Sequence, residues 1–260
     1  GAGGFHTSAD ESAVKITRTL PDGSRVQIAS PPATRVGYSF AIRKHVSANL
    51  ALADWEKAGA FDEAVHKDGE LEAERTFHSL VGPEAATTLR EAVRARRNIL
   101  VAGGTSTGKT TFLNSLLAEI PREERLVLIE DTAELHLAHE NAVGLIAARG
   151  ELSEAQITAE DLLIAALRMR PDRIILGELR GVEAFTFLRA VNTGHPGSMT
   201  TIHADTPARA IEQLALLVLQ AGSKLSREDV RHYVRQSVDV FVQLERRGGK
   251  RRVAQVLAAV

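Results

Sequence analysis

Residues Gly103–Thr111 read G-G-T-S-T-G-K-T-T. The spacing of two glycines, a lysine and a threonine within this stretch matches the phosphate-binding loop G-x-x-x-x-G-K-[ST]. Glycines let the backbone curl so that consecutive N–H groups point at phosphate oxygens, and the helix after such a loop favours anions at its N-terminus. The stretch therefore predicts a phosphate site between a strand and a helix.

The sequence on either side of the loop has the periodicity that this prediction requires. Asn98–Ala102 is a short apolar run typical of a buried strand, and Phe112–Ala118 carries apolar residues at helical spacing. We expect Lys109 to reach the β- and γ-phosphates of ATP and the Thr110 hydroxyl to bind Mg²⁺. The alternative is a glycine-rich turn, since the four specified positions match by chance in roughly 1 in 100 chains of this length. Every residue of the loop is a candidate phosphate contact: Gly103, Gly104, Thr105, Ser106, Thr107, Gly108, Lys109, Thr110 and Thr111.

The composition of the 260 residues, 44 % hydrophobic and 25 % charged, is that of an ordinary soluble protein. There is no cysteine, which excludes disulfides and thiolate zinc sites and suits the cytosol. No apolar run approaches the ~18 residues of a membrane span. The net charge is −1, so the chain as a whole offers no basic surface for nucleic acid, and we expect no direct sequence-specific nucleic-acid binding.

Residues 1–75 predict a small β-rich N-terminal domain that ends in a linker. Val14–Leu20 and Arg25–Ser30 alternate apolar and polar residues on either side of Asp22 and Gly23, which is the signal of a β-hairpin. The other elements predicted here are a third strand, a helix and the linker: Tyr38–Arg43, Ala53–Val65 and Lys67–Glu74.

Residues 76–260 alternate strand patterns with helical patterns, which predicts an α/β fold with a mostly parallel sheet. In such sheets ligands bind at the carboxyl ends of the strands. The predicted strands beyond the loop are Arg125–Ile129, Arg173–Leu176, Ser198–Ile202, Val238–Leu244 and Arg252–Leu257. The predicted helices are Glu84–Arg96, Thr158–Met169, Val182–Val191, Pro207–Gln220 and Arg227–Gln236, with Thr158 and Asp161 as an approximate capping box.

Carboxylates follow two of these strands. A phosphate-loop enzyme needs such groups to hold Mg²⁺ and the attacking water. In such enzymes the equivalent of the strand Arg173–Leu176 commonly ends in Asp. In this chain Gly177 takes that place and Glu178 follows, so Glu178 is the candidate base or water-positioning residue. Glu130, after the neighbouring strand, is the second candidate on the metal or water side, ahead of Asp131 and Glu134. The alternatives are a surface glutamate and an ordinary acidic loop.

Two histidines bracket the segment Asn192–His203, which predicts a turn and then a strand rich in Ser and Thr. The spacing of His195 and His203 matches no usual zinc pair, and there are no thiolates. Neutral imidazoles beside hydroxyls suit a role in sensing the γ-phosphate better. For His203 a structural role is the open alternative.

In this order, the four motifs resemble those of the secretion ATPase superfamily, specifically the hexameric traffic ATPases of bacterial type IV secretion and conjugation. Gly103–Thr111 looks like the Walker A motif of that family and Leu128–Glu134 like its Asp box. Arg170–Gly181 looks like its atypical Walker B, including the Gly-Glu ending, and Gly194–His203 like its His box.

The resemblance implies a RecA-like ATPase domain behind a small N-terminal domain, six subunits in a ring, and ATP at the domain boundary. It implies docking on inner-membrane components of a secretion channel, at the cytoplasmic face. Arg25 and Arg43 match N-domain arginines that reach the nucleotide, and Arg170 matches a further phosphate-side arginine. The family's N-terminal domain is usually longer than the ~75 residues here, so we expect this one to be incomplete.

The leading hypothesis is thus an ATP-hydrolysing motor for substrate transfer or pilus assembly. A type II secretion or type IV pilus motor is the near alternative, although assembly motors of that kind often carry a four-cysteine zinc insert that this chain lacks. A RecA-type nucleic-acid translocase needs a basic channel, which the near-neutral charge does not favour. A non-hydrolysing nucleotide-binding scaffold is disfavoured because Glu178 and Glu130 are both present.

Overall fold

The computed structural model describes residues 15–22, 24–44, 75–80, 82–147 and 157–259. The predicted helix Ala53–Val65, the predicted linker and Gly23 of the predicted hairpin turn lie outside these residues. The described part contains a three-stranded and an eight-stranded sheet, and the α/β fold class predicted from the sequence is confirmed.

The small sheet is antiparallel, in the order β1-β2-β3. Its strands are Lys15–Thr19, Arg25–Ala29 and Ser39–Arg43, as the alternating pattern predicts. At the turn, the Asp22 carboxylate accepts hydrogen bonds from the backbone N–H and the hydroxyl of Ser24. These bonds hold the pKa of Asp22 below its ordinary value.

The large sheet has the order β4-β11-β10-β5-β9-β8-β6-β7, and its six strands from β10 to β7 are parallel to one another. β11 and β4 extend it in antiparallel orientation. The strand bounds are β4 Phe77–Leu80, β5 Ile99–Gly103, β6 Leu126–Glu130, β7 Ala142–Ile146, β8 Arg173–Leu176, β9 Met199–Ile202, β10 Val240–Arg247 and β11 Lys250–Ala259.

Helices cover both faces of this sheet, because its central strands are apolar on both sides. The six described helices are α1 Gly82–Arg94, α2 Lys109–Leu117, α3 Ala159–Ala166, α4 Glu183–Asn192, α5 Pro207–Gln220 and α6 Arg227–Ser237. Along β5, Ile99 and Val101 pack in the core that contains α1 and α2. Leu100 and Ala102 pack in the core that contains α3 to α6. None of these helices is both long and apolar enough to cross a bilayer.

Local capping signals fix two helix starts. At the start of α3, the Thr158 hydroxyl accepts from the Asp161 N–H and the Asp161 carboxylate accepts from the Thr158 N–H, so the predicted capping box is present. Ser226 and Asp229 form a second box at α6 that the sequence analysis did not identify. The α3 helix itself ends at Ala166, three residues before the predicted Met169.

Two strands of the large sheet, β4 and β7, were not predicted. Each pairs with a strand on one side only, so neither carries the continuous buried pattern of a central strand. On its free side, β7 receives the segment before β3. The Arg35 N–H donates to the Gly144 carbonyl at 3.1 Å, and the Ile146 N–H donates to the Ala33 carbonyl at 2.7 Å. These bonds attach the N-terminal segment to the edge of the large sheet.

Candidate functional site

The phosphate loop connects β5 to α2 at the carboxyl edge of the parallel strands. Gly103 has no room for a side chain, because a Cβ atom there would collide with Thr107 and come within 3.2 Å of the Leu244 carbonyl oxygen. Gly108 has φ +92°, a left-handed conformation that favours glycine. It is also the N-cap of α2 and supplies no side-chain cap. The first N–H groups of α2 therefore face the cleft without a side-chain cap, as an anion site requires.

The Lys109 side chain folds back over its own loop and is largely buried. Its ammonium donates to the carbonyl oxygens of Gly103 at 3.0 Å and Gly104 at 3.3 Å. Burial lowers the pKa of Lys109, an effect that the nearby Glu178 carboxylate opposes. A buried ammonium held mainly by carbonyl dipoles gains from an additional anion, which is what a phosphate supplies.

Glu178 brings the Walker B-like segment to the same place. One carboxylate oxygen, Oε1, lies 2.8 Å from Nε2 of His203 and 4.0 Å from Nζ of Lys109. The His203 ring nitrogens lie 3.3 and 3.4 Å from that same Nζ. Three of the predicted site residues, from three separate motifs, are therefore in mutual contact at one edge of the sheet.

Arg180 is a site residue that the sequence analysis missed. Its Nε donates to Oε2 of Glu178 at 2.7 Å, and its Nη1 lies 3.2 Å from the Asp131 carboxylate. The hydrogen bond to Glu178 raises the pKa of Arg180 further, so the guanidinium is charged. Its position two residues after Glu178 was a possible signal, because the segment after a parallel strand lies at the ligand edge.

Glu130 ends β6 beside Gly177, but its carboxylate is occupied by protein groups. One oxygen accepts from the N–H groups of Glu134 at 2.9 Å and Leu135 at 2.7 Å. The other forms an ion pair with the Arg35 guanidinium, and both side chains are largely buried. A metal-side or water-side role for Glu130 would require this pair to open, so the geometry favours Glu178 over Glu130. No sequence signal pointed to Arg35.

Together these groups line a cleft of about 510 Å³ at the carboxyl edge of the sheet. Its ionisable lining residues include both acids and bases: Lys109, Glu130, Asp131, Glu134, Glu178, Arg180, His203 and Arg251. The loop contributes Thr105, Ser106, Gly108, Thr110 and Thr111. Within the described ranges, no group of three or more acidic or histidine side chains is arranged to hold a metal ion by itself.

Three of the predicted arginines are not brought to this cleft. Arg25 and Arg43 lie opposite each other on β2 and β3, both exposed, and neither lines the cleft. Arg170 precedes β8 and so lies at the amino edge of that strand, away from the loop. His195 also lies at that edge, where its Nδ1 is 3.2 Å from the Pro171 carbonyl oxygen. Arg170 precedes β8 and His195 precedes β9, so both lie at the amino edge of the sheet. The phosphate loop follows β5 and Glu178 follows β8, so both lie at the carboxyl edge.

Comparison with known proteins extends this picture over most of the chain. The family model described as "Type II/IV secretion system protein" matches residues 73–251. The "Type IV secretion system protein VirB11" of Bartonella quintana (strain Toulouse) is 39 % identical over 257 aligned residues, covering 93 % of this chain and 72 % of the relative. The "Conjugal transfer protein TrbB" of Rhizobium radiobacter is 36 % identical and covers 97 % of this chain and 70 % of the relative.

Among solved structures, the VirB11 ATPase from the Brucella suis type IV secretion system, crystallised with sulphate, superposes with a TM-score of 0.82. It is 35 % identical, and the match covers 95 % of this chain and 74 % of the crystallised one. The resemblance inferred from four short motifs is thereby confirmed along nearly the whole sequence. The chain belongs to the family of type II/IV secretion system proteins and is an ATPase of its type IV branch.

Proposed function

We propose that this chain hydrolyses Mg²⁺-bound ATP in the cleft above the phosphate loop and that the reaction drives transfer through a type IV secretion or conjugation system. The observation that carries the proposal is the meeting of Lys109 and Glu178, 4.0 Å apart, at the carboxyl edge of the sheet. One is the cation that a nucleotide phosphate needs, and the other is a carboxylate that can position water.

Binding is expected to rearrange the contacts of Lys109. Phosphate oxygens are stronger acceptors than the carbonyl groups of Gly103 and Gly104, so the ammonium should turn toward the β- and γ-phosphates. The N–H groups at the start of α2 would hold the same phosphates. The positive charge that burial disfavours in Lys109 is then compensated by the ligand.

In this proposal Glu178 orients the attacking water and accepts its proton. Its two oxygens contact His203 on one side and Arg180 on the other, which fixes the carboxylate at the mouth of the loop. His203 contacts both Lys109 and Glu178, so it is placed to respond when a γ-phosphate separates them. This arrangement suits sensing of the γ-phosphate.

The donor set of the cleft fits Mg²⁺, which commonly binds through one or two protein oxygens together with phosphates and water. The Thr110 hydroxyl and the Glu178 carboxylate would hold it, and Asp131 and Glu134 line the same cleft. When bound, the ion would neutralise charge on the phosphates. Glu130 would join this set only after leaving Arg35.

We propose that six subunits form a ring. Among the residues described, the cleft is lined by the large-sheet part of the chain, and no arginine of the N-terminal segment reaches it. Arginines supplied by a neighbouring subunit would complete it. The ring would dock on inner-membrane channel components from the cytoplasm, and residues 1–75 would act as a domain separate from residues 76–260. Sequence-specific nucleic-acid binding is not part of this proposal.

The experiment that tests the proposal measures ATP turnover with Mg²⁺ and, in parallel, molecular mass by light scattering with and without an ATP analogue. Turnover should be lost in Lys109→Ala, because the loop then has no charge for the β- and γ-phosphates. A mass of six subunits is expected with nucleotide. Near-parental turnover in Lys109→Ala would reject the site, and a monomeric mass at micromolar concentration with nucleotide would reject the ring. Turnover that requires DNA would favour the translocase instead.

A further inference from the structure

The β10–β11 hairpin extends beyond the carboxyl edge of the large sheet, directly beside the phosphate loop. β10 runs parallel to β5, and the last residue of β5, Gly103, pairs with Leu244. From there β10 continues for three more residues to Arg247, a distance of about 10 Å. β11 begins at Lys250 and returns along it. The hairpin tip therefore lies beyond the carboxyl edge of the sheet, on the side of the phosphate loop.

This tip is strongly basic. Its cationic residues are Arg246, Arg247, Lys250, Arg251 and Arg252. The one acidic residue within positions 245–252 is Glu245, which pairs with Arg252. A cluster of positive charge with one compensating carboxylate raises the local concentration of anions. The basic hairpin thus adds to the field that the loop and the N-terminus of α2 already provide.

Arg251 is the member of this cluster that faces the loop. A Cβ atom placed on Gly108 would lie 3.0 Å from Cδ, 3.5 Å from Nε and 3.9 Å from Cζ of Arg251. Arg251 also lines the cleft that contains Lys109 and Glu178. Its guanidinium is therefore close to the N-cap of α2, the end where N–H groups without a side-chain cap favour an anion.

Arg251 differs in its pairing from the other cleft arginine, Arg180. Arg180 is bound by Glu178 and Asp131. Within the described part of the chain, the side chain of Arg251 forms no ion pair and no hydrogen bond, and its backbone pairs with Arg246 in the β10–β11 ladder. A planar guanidinium with five donors that faces an anion site without a protein acceptor is suited to a phosphate.

We propose that Arg251 is a nucleotide-binding residue whose guanidinium contacts the phosphate chain of the bound nucleotide from the hairpin side of the loop. This inference rests on the proposed nucleotide site and adds a contact from the C-terminal hairpin that none of the four motifs includes. Because ADP and ATP share the part of the chain held by the loop, both should use the contact. The contribution of Arg251 to affinity should be the same whichever nucleobase the nucleotide carries.

The test measures the affinity of ADP, GDP and inorganic pyrophosphate by calorimetry for the parent and for three variants of Arg251. Arg251→Ala and Arg251→Met should each weaken all three ligands by about tenfold, and Arg251→Lys should weaken them less. The methionine variant keeps the aliphatic stem that packs on Gly108, so it separates packing from charge. The matched control is Arg252→Ala, which removes one positive charge from the adjacent position whose partner is Glu245.

Several results would overturn the inference while leaving the proposed function intact. These are parental affinity in Arg251→Met, an equal loss in Arg252→Ala, or a loss for ADP without one for GDP and pyrophosphate. Failure of the parent protein itself to bind ADP would instead reject the proposed nucleotide site. Circular dichroism of each variant, with a melting temperature close to that of the parent, confirms that the comparison is between folded proteins.

Discussion

Arg35 and Glu130 form a buried ion pair that joins the segment before β3 to the last residue of β6. The pair is reinforced on both sides. The Arg35 guanidinium also donates to the Leu135 carbonyl at 2.7 Å, and Glu130 accepts from the N–H of the same residue. The acidic loop after β6 is thus held by a residue from the N-terminal segment. The N-terminal segment is thereby in direct contact with the end of a strand that borders the cleft.

Removal of Arg35 should destabilise the protein strongly. Arg35→Met leaves the Glu130 carboxylate buried without its cation, and breaking a buried pair in this way typically costs about 3–5 kcal/mol. Glu130→Gln also removes the counter-charge of Arg35, but it should cost less. The amide oxygen still accepts from the two N–H groups, and Arg35, whose side chain is 14 % exposed, keeps its hydrogen bond to the Leu135 carbonyl. Urea denaturation of both single variants and the double variant measures the coupling. Strictly additive losses would mean that the pair does not interact as described.

The same variants test the predicted metal-side role of Glu130. If Glu130 acts only through Arg35, Glu130→Gln should keep the Mg²⁺ dependence of turnover, once it is measured well below the melting temperature. A clear rise in the Mg²⁺ concentration needed for half-maximal turnover would assign Glu130 to the metal in the active state, after the pair with Arg35 has opened.

Replacement of Glu178 should separate binding from hydrolysis. Glu178→Gln preserves the size of the side chain but cannot accept a proton, so turnover should fall by about 10²–10⁴-fold while ATP affinity stays near the parental value. A nucleotide-binding assay beside a phosphate-release assay makes the comparison. If ATP binding is lost as well, Glu178 mainly holds the metal, and the base must be sought among Glu130, Asp131 and Glu134.

The sequence predicts those features that are set by residues close together in the chain. The phosphate loop and the capping box at Thr158 follow from spacings of a few residues, and the structure contains both elements. Arg35 binds Glu130 and also donates to the carbonyl of Leu135, which is 100 positions away in the sequence. No local periodicity encodes contacts between segments so far apart. Arg251 was missed for a related reason, because its neighbour Gly108 lies in a different strand–helix unit.

A buried pair at the amino edge of the sheet should make stability depend on acid pH. The fully buried Arg173 donates two hydrogen bonds to the Glu124 carboxylate, at 2.8 and 2.7 Å. Burial alone raises the pKa of Glu124, but the hydrogen bonds and charge of Arg173 outweigh it and bring the pKa below its ordinary value of 4.5. The stabilisation is therefore present above about pH 4.5 and is lost as the pH falls through the lower, folded-state pKa.

Glu124→Gln should thus be less stable than the parent by about 3–5 kcal/mol near pH 7, because it leaves Arg173 buried without a counter-charge. The difference should narrow when the pH is lowered below about 4.5. Denaturant titrations at several pH values measure it. The control is Glu119→Gln, which breaks the exposed contact with Arg90 and should cost about 0–1 kcal/mol. A pH-independent difference for Glu124→Gln would contradict the linkage.

The arrangement of Arg25 and Arg43 suggests a ligand in another subunit. The two residues are direct partners across β2 and β3, so their side chains leave the same face of the small sheet and place like charges side by side. Like charges directly opposite each other are unfavourable unless an anion lies between them or near them. Neither arginine lines the cleft of its own chain. A γ-phosphate bound by a neighbouring subunit would supply that anion.

Arg25→Ala and Arg43→Ala should therefore each lower ATP turnover at least about tenfold, since arginines on a transferring phosphoryl group contribute about 10³–10⁵ in other phosphate-loop enzymes and two would share the effect here. ADP affinity should stay nearly unchanged, because ADP lacks the γ-phosphate. Lys44→Ala, which replaces an exposed neighbour of Arg43, serves as the control for a lost positive charge.

A mixture of Arg25→Ala subunits and Lys109→Ala subunits tests which subunit the arginine serves. Recovered turnover means that the arginine acts across the interface, and no recovery means that it acts on its own subunit. Parental turnover in both single variants would make Arg25 and Arg43 ordinary exposed strand residues.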